Sequence, residues 1–437
     1  MLYRTRFAAA LAAPAAVLAG LCLSAGGWDN AASYQPRITD LMGSVGWPGD
    51  AKGVKTWKEM GLTWGRDDVH PGRVSPAAPM DVSRTGPGDS DLPSILLTNN
   101  RNDIRSVLLL AYSAPWNTAT GDALSAPKDV KVWEEYVEAA VTKYAAAPYN
   151  IRYFQIWNEA AGRIISAPQS TFWHGPGYPS QEYARAMEDY VDLVHIPAAR
   201  IIRQHRCMVV YGGWPDQGGI EQYEKWLDYH DLARWSDYLD IHYLGVAEMD
   251  RLYRRYVATG ICRGVWQTEI GDTYCKDPRY LSRFYFSLAR WALEHGWDQP
   301  DKFAAMVYHW SGPEDFRLTQ WNNPATYTPS GRSLITLRTV LDGPLATYGP
   351  EPALTHGGTA AAIRSGDRIV VQVEVKEPGR CSLTIPDPAL ARRRARLVDA
   401  ITGIPGPEVS VLPKDGAALV EFNAADRTGM FVYLILE

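Results

Sequence analysis

The sequence predicts an α/β protein, a (β/α)8 TIM barrel carrying a C-terminal all-β sandwich, and three observations carry that prediction. Over residues 36–343, short apolar runs alternate eight times with longer helical or loop segments, the pattern of a parallel sheet covered by helices. Beyond Gly343 the texture changes to short β-favouring runs split by Gly, Pro and Asp turns, with no helical periodicity between them. Two of the apolar runs, Tyr153–Glu159 and Val265–Glu269, end in a carboxylate. A buried strand delivers a charge to its end only where that charge is paired or used. A doubly wound open sheet is the alternative architecture, but no Gly-rich phosphate fingerprint accompanies any run.

The amino terminus reads as a targeting segment. Arg4 and Arg6 precede an Ala/Leu-rich run from Phe7 to Leu23, and Ser24-Ala25-Gly26-Gly27 supplies small residues for cleavage. Residues 1–26 are therefore expected to be a signal peptide, and the mature chain a secreted or periplasmic protein. Cys22 raises lipid anchoring, but Leu21 stands where a small residue is wanted, so anchoring ranks second. No later run is long enough to span a bilayer. Four further cysteines, Cys207, Cys262, Cys275 and Cys381, form neither a disulfide framework nor a metal-ligand pattern, and their pairing is left open.

A net charge of -5 from 44 basic and 49 acidic residues argues against a nucleic-acid partner; the short run Arg392-Arg393-Arg394 reads as a solvated loop or edge. The 16 Trp and 24 Tyr against 9 Phe give most aromatic rings a polar tip, which suits wet, stacking clefts.

Taken in order, Ile38–Val45 reads as the first strand and Lys52–Met60 as a helix closed by Gly61. Leu62–Arg66 is the second strand, running into Asp67 and Asp68. The Pro/Gly/Ser-rich stretch from Pro71 to Asp91 is long enough to be a functional loop. Ile104–Leu110 is the third strand. Trp133, Tyr136, Val137, Ala140, Val141 and Tyr144 then repeat at the spacing of one buried helix face. The Tyr153 run is the fourth strand. Glu182–Ile202 reads as helix interrupted at Pro197, Met208–Tyr211 as strand, Tyr223–Trp235 as helix and Tyr238–Tyr243 as strand. Met249–Ala258 is helix, the Val265 run the seventh strand, Leu281–His295 an amphipathic helix, Phe303–Trp310 the eighth strand and Leu334–Val340 the last helix. Residues 344–437 form the sandwich, with strands at 360–363, 368–375, 383–385, 418–422 and 431–436. No cluster of aromatics marks it as a sugar-binding module, so packing support for the barrel is its expected role.

In such a barrel, catalytic groups stand at the C-terminal strand ends. Glu159 closes the fourth strand and Glu269 the seventh, which places two carboxylates at one mouth. Opposed carboxylates suit glycosidic bond cleavage: one protonates the leaving oxygen and the other attacks or supports the anomeric carbon. The plainer reading pairs each Glu with a buried Arg. His70, Asp67 and Asp68 lack the His-x-His spacing or second cluster of a catalytic metal site, and neither a metal nor any other cofactor is expected.

Trp157-Asn158-Glu159 and Thr268-Glu269 together resemble the signature of the clan A retaining glycoside hydrolases. The barrel-plus-sandwich layout is most similar to family 39, the β-xylosidase, α-L-iduronidase and exopolysaccharide hydrolase type. The resemblance runs from the Gly61–Arg66 segment to Tyr308-His309-Trp310. It implies Glu159 as acid/base, Glu269 as nucleophile and Asn158 as a hydrogen-bonding partner of the sugar 2-hydroxyl. Arg66 matches the arginine beside the nucleophile, Tyr243 a tyrosine near it with His242 as neighbour, and Trp310 the platform under the reacting sugar. Ala160-Ala161 depart from the pattern, standing where many relatives have Pro. A cation at Arg66 favours ionised Glu269, whose charge in turn keeps the proton on Glu159 for the first step.

The supporting residues carry competing readings. Arg66 also fits a structural ion pair, and His242 a satisfied strand-end histidine. Trp116, Trp47 and Trp214 follow strands and suit either sugar stacking or packing. Two other functions share the residues: a catalytically silent carbohydrate-binding barrel, and a transglycosylase or exopolysaccharide-processing enzyme. The expected partner is a poly- or oligosaccharide. Sugar, anomer, endo or exo action and oligomeric state are not legible.

Overall fold

The computed structural model describes residues 34–69, 77–78, 92–118, 121, 123–161, 187–215, 219–312, 317–320, 323–355, 357–424 and 430–437. Residues 1–26, expected to be a signal peptide, Cys22 among them, lie outside the described residues, as do His70 and nearly all of the Pro71–Asp91 loop. Residues Gln35–Glu437 form one compact unit.

Eight parallel strands close into a barrel in chain order: β1 (Met42–Val45), β2 (Trp64–Val69), β3 (Arg105–Leu110), β4 (Tyr153–Ile156), β5 (Met208–Tyr211), β6 (Tyr238–His242), β7 (Gly264–Ile270) and β8 (Phe303–Val307), with β8 pairing back onto β1. Each is followed by a helix: α1 (Ala51–Met60), α2 (Leu92–Arg101), α3 (Val130–Ala145), α4 (Ile196–Gln204), α5 (Ile220–Asp228), α6 (Val246–Leu252), α7 (Tyr280–Glu294) and α8 (Pro329–Val340). Local chemistry sets their ends. The Asp50 carboxylate accepts from Gly53 N–H to start α1, Gly61 closes it at φ 83°, and Thr328 caps α8 ahead of Pro329.

Several elements differ from expectation. Ile38–Leu41 is a one-turn helix rather than the start of β1, because the Asp40 carboxylate accepts the Arg37 N–H and fixes the turn. Helix α2 was not expected, although Leu92, Ile95, Leu96 and Asn99 bury one face at helical spacing. The helix ahead of β5 is not interrupted at Pro197. A π turn over Tyr190–His195 runs directly into α4, and Pro197, which has no N–H to donate, follows on that widened turn. Between β8 and α8 lies a small sheet of β9 (Ser311–Gly312), β10 (Thr319–Gln320) and β11 (Asn323–Tyr327).

The barrel interior is layered by the two-residue period of its strands. Trp64, Tyr153, Tyr238 and Trp266, from four strands, meet inside the N-terminal half; Tyr238 stacks on Trp266 at 4.3 Å and Trp64 lies 5.0 Å from Trp266. The Tyr153 and Tyr238 hydroxyls both donate to the Asp301 carboxylate, just before β8. One period further along the same strands stand Arg66, Gln155, Asp240 and Thr268, all buried and hydrogen-bonded to one another. An aromatic floor thus carries a polar layer, and the candidate site stands on that layer.

After the barrel come β12 (Leu345–Ala346), β13 (Ala353–Leu354), β14 (Gly358–Ser365), β15 (Arg368–Val375), β16 (Gly379–Ile385), β17 (Ala395–Asp399), β18 (Pro405–Val409), β19 (Val411–Lys414), β20 (Ala417–Ala424) and β21 (Met430–Leu436). They form a six-stranded sheet, ordered β12-β14-β15-β21-β17-β18, and a four-stranded sheet, β13-β16-β20-β19. Val371, Val373, Leu434 and Leu436 face Cys381, Leu383, Val420 and Phe422 in a shared core. The other face of the larger sheet packs on α7: Gln372 donates to the Ser282 carbonyl, Arg283 pairs with Glu374 at 3.2 Å, and Tyr433 lies 6.1 Å from Phe286. Cys207, Cys262 and Cys381 are buried free thiols, and Cys275 is also buried. Among the described residues no helix is long and apolar enough to cross a membrane.

Candidate active site

Glu269 is placed by an irregularity in β7. The register of β7 slips against both neighbours, between Asp240 and His242 on β6 and between Gln267 and Ile270 on the β8 side. A regular strand sends adjacent side chains to opposite faces; this bulge lets Thr268 and Glu269 both reach inward. Thr268 bonds Asp240 at 2.6 Å, and Glu269 meets Arg66 at 2.6 Å.

The Arg66 fork organises the layer. Its Nη1 donates to Glu269 Oε1, its Nη2 to Asn158 Oδ1 at 2.6 Å and its Nε to Gln155 Oε1 at 2.5 Å. Tyr243 donates its hydroxyl to the other Glu269 oxygen at 2.9 Å. Burial opposes the Glu269 charge, but His242, Arg66 and the Tyr243 hydroxyl outweigh it and hold the carboxyl below its ordinary range. Burial likewise works against the Arg66 charge, and the Glu269 and Asp240 carboxylates raise its pKa nonetheless. The ion-pair reading of Arg66 and the catalytic reading of Glu269 therefore describe one arrangement.

Glu159 sits three residues past the end of β4, not on the strand itself. Trp157 and Glu159 adopt φ 68° and 46°, and the Glu159 N–H donates to the Gly212 carbonyl at 2.7 Å. This turn buries Trp157 in the wall against Tyr112 and Trp133 and sends Asn158 toward Arg66 and Glu159 toward His242. His242 Nδ1 lies 2.9 Å from Glu159 Oε1 and 3.7 Å from Glu269 Oε2. Burial disfavours the imidazolium, but Glu269 and hydrogen bonds to Asp240 and Glu159 raise its pKa to about 10. His242 is thus in direct contact with the acid/base candidate.

One oxygen of each carboxylate and a ring nitrogen of His242 lie within 4.8 Å of one another, the tightest cluster of potential metal ligands among the described residues. Both Glu269 oxygens already accept from Arg66 and Tyr243, and Glu159 from the histidine side, so hydrogen bonds occupy the cluster.

The aromatic candidates separate. Trp214 is fully buried, stacked on Tyr223 at 5.0 Å, and belongs to the packing. Trp310, just past β8, donates its indole N–H to the Trp47 carbonyl at 3.1 Å and meets the Trp57 edge at 5.9 Å. Trp47 is 38% exposed beside it. Trp116 is half-buried on the short turn Pro115–Asn117 after β3.

Four residues join the site that sequence reasoning did not assign to it. Tyr112, after β3, interacts with Asn158, Arg66 and both glutamates, and burial pushes its hydroxyl up to about 12. Gln155, Asp240 and Thr268 form the polar layer below. Their signal in the sequence was positional: each stands two residues beyond an inward-facing aromatic on an otherwise apolar strand.

No family model matches the sequence, and no curated protein matches it. Solved structures do. A family 39 glycoside hydrolase from the gut symbiont Bacteroides cellulosilyticus WH2 superposes with a TM-score of 0.55 at 15% identity, over 92% of this chain and 82% of that one. A GH30 endoxylanase from Clostridium papyrosolvens C71 gives 0.58 at 14% identity, over 93% and 98%. The catalytic domain of GH30 xylanase C from Talaromyces cellulolyticus gives 0.59 at 11%, over 92% and 98%. The fold is that of these glycoside hydrolases, the layout the family 39 resemblance implied.

Proposed function

We propose that this protein is an exported retaining glycoside hydrolase that cleaves O-glycosidic bonds of a poly- or oligosaccharide. The observation that carries the reading is the asymmetry of two neighbouring carboxylates. Glu269 is held ionised by Arg66 and Tyr243, whereas Glu159 meets a histidine among the described residues and lies half-buried. Glu269 attacks the anomeric carbon while Glu159 protonates the departing oxygen, and the C1–O bond breaks to leave a glycosyl ester on Glu269. Glu159 then takes a proton from water, whose oxygen bonds to C1 and frees Glu269. Nearest oxygens within 4.8 Å suit the short carboxyl separation of a retaining enzyme better than the wider one of an inverting enzyme. Asn158, oriented by Arg66, presents its amide to the sugar 2-hydroxyl, and Trp310 supplies a ring face beneath the sugar.

The test uses aryl β-glycosides and xylan-derived oligosaccharides first, since an endoxylanase and a xylanase share the fold. NMR of the first-formed product should show retained anomeric configuration, and inversion would exclude the mechanism. Loss of hydrolysis in Glu159→Gln and Glu269→Gln separates an enzyme from a silent binding barrel; equal inactivity of wild type and both variants across a broad panel favours binding.

A further inference from the structure

Asp240 lies wholly inside the barrel, one layer below the site, where no sugar reaches it. Its Oδ1 accepts the Thr268 N–H at 2.8 Å, and its Oδ2 accepts both the Thr268 hydroxyl and the Gln155 amide at 2.6 Å. The Thr268 hydroxyl has one proton, and it is directed to Asp240. Toward His242 Nε2, 3.0 Å away, Thr268 Oγ is therefore an acceptor, and Asp240 Oδ2 stands 3.4 Å from the same nitrogen. His242 Nε2 must carry a hydrogen. The variable position of the ring is then Nδ1, which points at Glu159 Oε1 at 2.9 Å. A bare lone pair facing a carboxylate oxygen at that distance repels it, so a proton lies between the two.

We propose that Asp240 is a positioning residue for the acid/base step: through Thr268 it fixes His242 in its Nε2–H form, and His242 thereby keeps the proton that Glu159 delivers and recovers. This rests on the reading of Glu159 as acid/base. In the first half-reaction the Nδ1 proton passes to the Glu159 carboxylate and on to the leaving oxygen as its bond to C1 breaks. In the second, Glu159 takes a proton from water and returns it to Nδ1, so the pair ends as it began.

The groups around the ring agree. Glu159 faces it from the turn after β4, Asp240 from β6 and Glu269 from β7, with Arg66 on β2, Tyr243 beside it and Tyr112 after β3 bearing on those carboxylates. From the β5 side Gly213 packs against the ring, and a Cβ on it would fall 2.2 Å from His242 Nε2. Three carboxylates around one imidazole favour its protonated form, in keeping with the rise of His242 to about 10.

The experiment is NMR of the full-length protein with 15N-labelled histidine, reading two-bond 1H–15N couplings across the pH range, with His242→Gln to assign the signal. His242 should keep Nε2–H throughout and lose its Nδ1 proton only well on the alkaline side of an ordinary histidine. In Asp240→Asn that midpoint should fall by about one to three pH units. Thr268→Val should let the tautomer exchange. An Nδ1–H tautomer in the wild type overturns the proposal, as does an unmoved midpoint in Asp240→Asn; if that variant does not fold, the wild-type tautomer still decides. The spectra need no substrate, so a failed glycosidase assay leaves this result readable by itself. On a hydrolysed aryl glycoside, the alkaline limb of kcat/KM in Asp240→Asn should shift by the same amount, which a purely structural loss would not cause.

Discussion

Tyr243 holds Glu269 twice: its backbone N–H donates to the Glu269 carbonyl at 2.9 Å, and its hydroxyl donates to Oε2 at 2.9 Å. The left-handed turn at Tyr243, φ 56°, brings both donors to one residue. Tyr243→Phe removes the hydroxyl and keeps the backbone bond. A hydrogen bond to a charged group contributes about 1.5–3 kcal/mol, so kcat/KM should fall roughly 10- to 100-fold with little change in thermal midpoint. Steady-state kinetics and a melting curve on the same preparation check it.

Arg66 is buried with three acceptors on one guanidinium, so Arg66→Met should destabilise the fold by about 3–5 kcal/mol by taking away the cation that Glu269 Oε1 is bonded to. Adding Glu269→Gln should restore part of that loss, because the uncompensated charge disappears. Denaturant unfolding of the two single variants and the double variant measures the coupling; strictly additive losses would contradict it.

Glu159→Ala should divide substrates by leaving group. Hydrolysis of a glycoside with an unactivated alcohol should slow by on the order of 100- to 10,000-fold. A dinitrophenyl glycoside, which departs without a proton, should still form the glycosyl-enzyme ester. A burst of dinitrophenolate followed by slow turnover is the expected trace.

The pH dependence follows from two opposed shifts. Glu269 is lowered, so its ionised form and the stability it brings persist above its unfolded value and are lost as pH falls through its folded one. His242 is raised to about 10, so its contribution is complete below about 6.5 and fades as pH climbs toward 10. The thermal midpoint should therefore decline between those values on the alkaline side, and Asp240→Asn should flatten that decline.

Gly213 stands at φ 74° with the imidazole against it. Gly213→Ala adds strain at that φ and a Cβ that must displace His242, so it should cost about 1–3 kcal/mol and most of the activity. Circular dichroism with kinetics would show a folded, impaired protein.

The barrel was legible because its strands are apolar and its helices periodic, and the two glutamates because each ends such a run. Other features depend on partners far away in sequence. Nothing near Asp240 announces that Gln155, 85 residues earlier, will donate to it. The apolar Ile38–Leu41 suits a strand by composition, and one carboxylate at Asp40 folds it into a helical turn instead. Helix α2 was hidden by the Pro- and Gly-rich stretch before it, although its own spacing is regular. The bulge in β7 has no turn residue to mark it.

That bulge works as a phase shift. Residues up to Gln267 follow one alternation of wall and interior, and those from Glu269 onward follow the opposite one. Removing a single residue between Gln267 and Ile270 would bring the strand back into step with its neighbours and leave one inward place where there are now two. Either Thr268, with its bond to Asp240, or the nucleophile candidate Glu269 would then be lost. For this protein the length of one strand is as strict a requirement as the identity of the residue at its end.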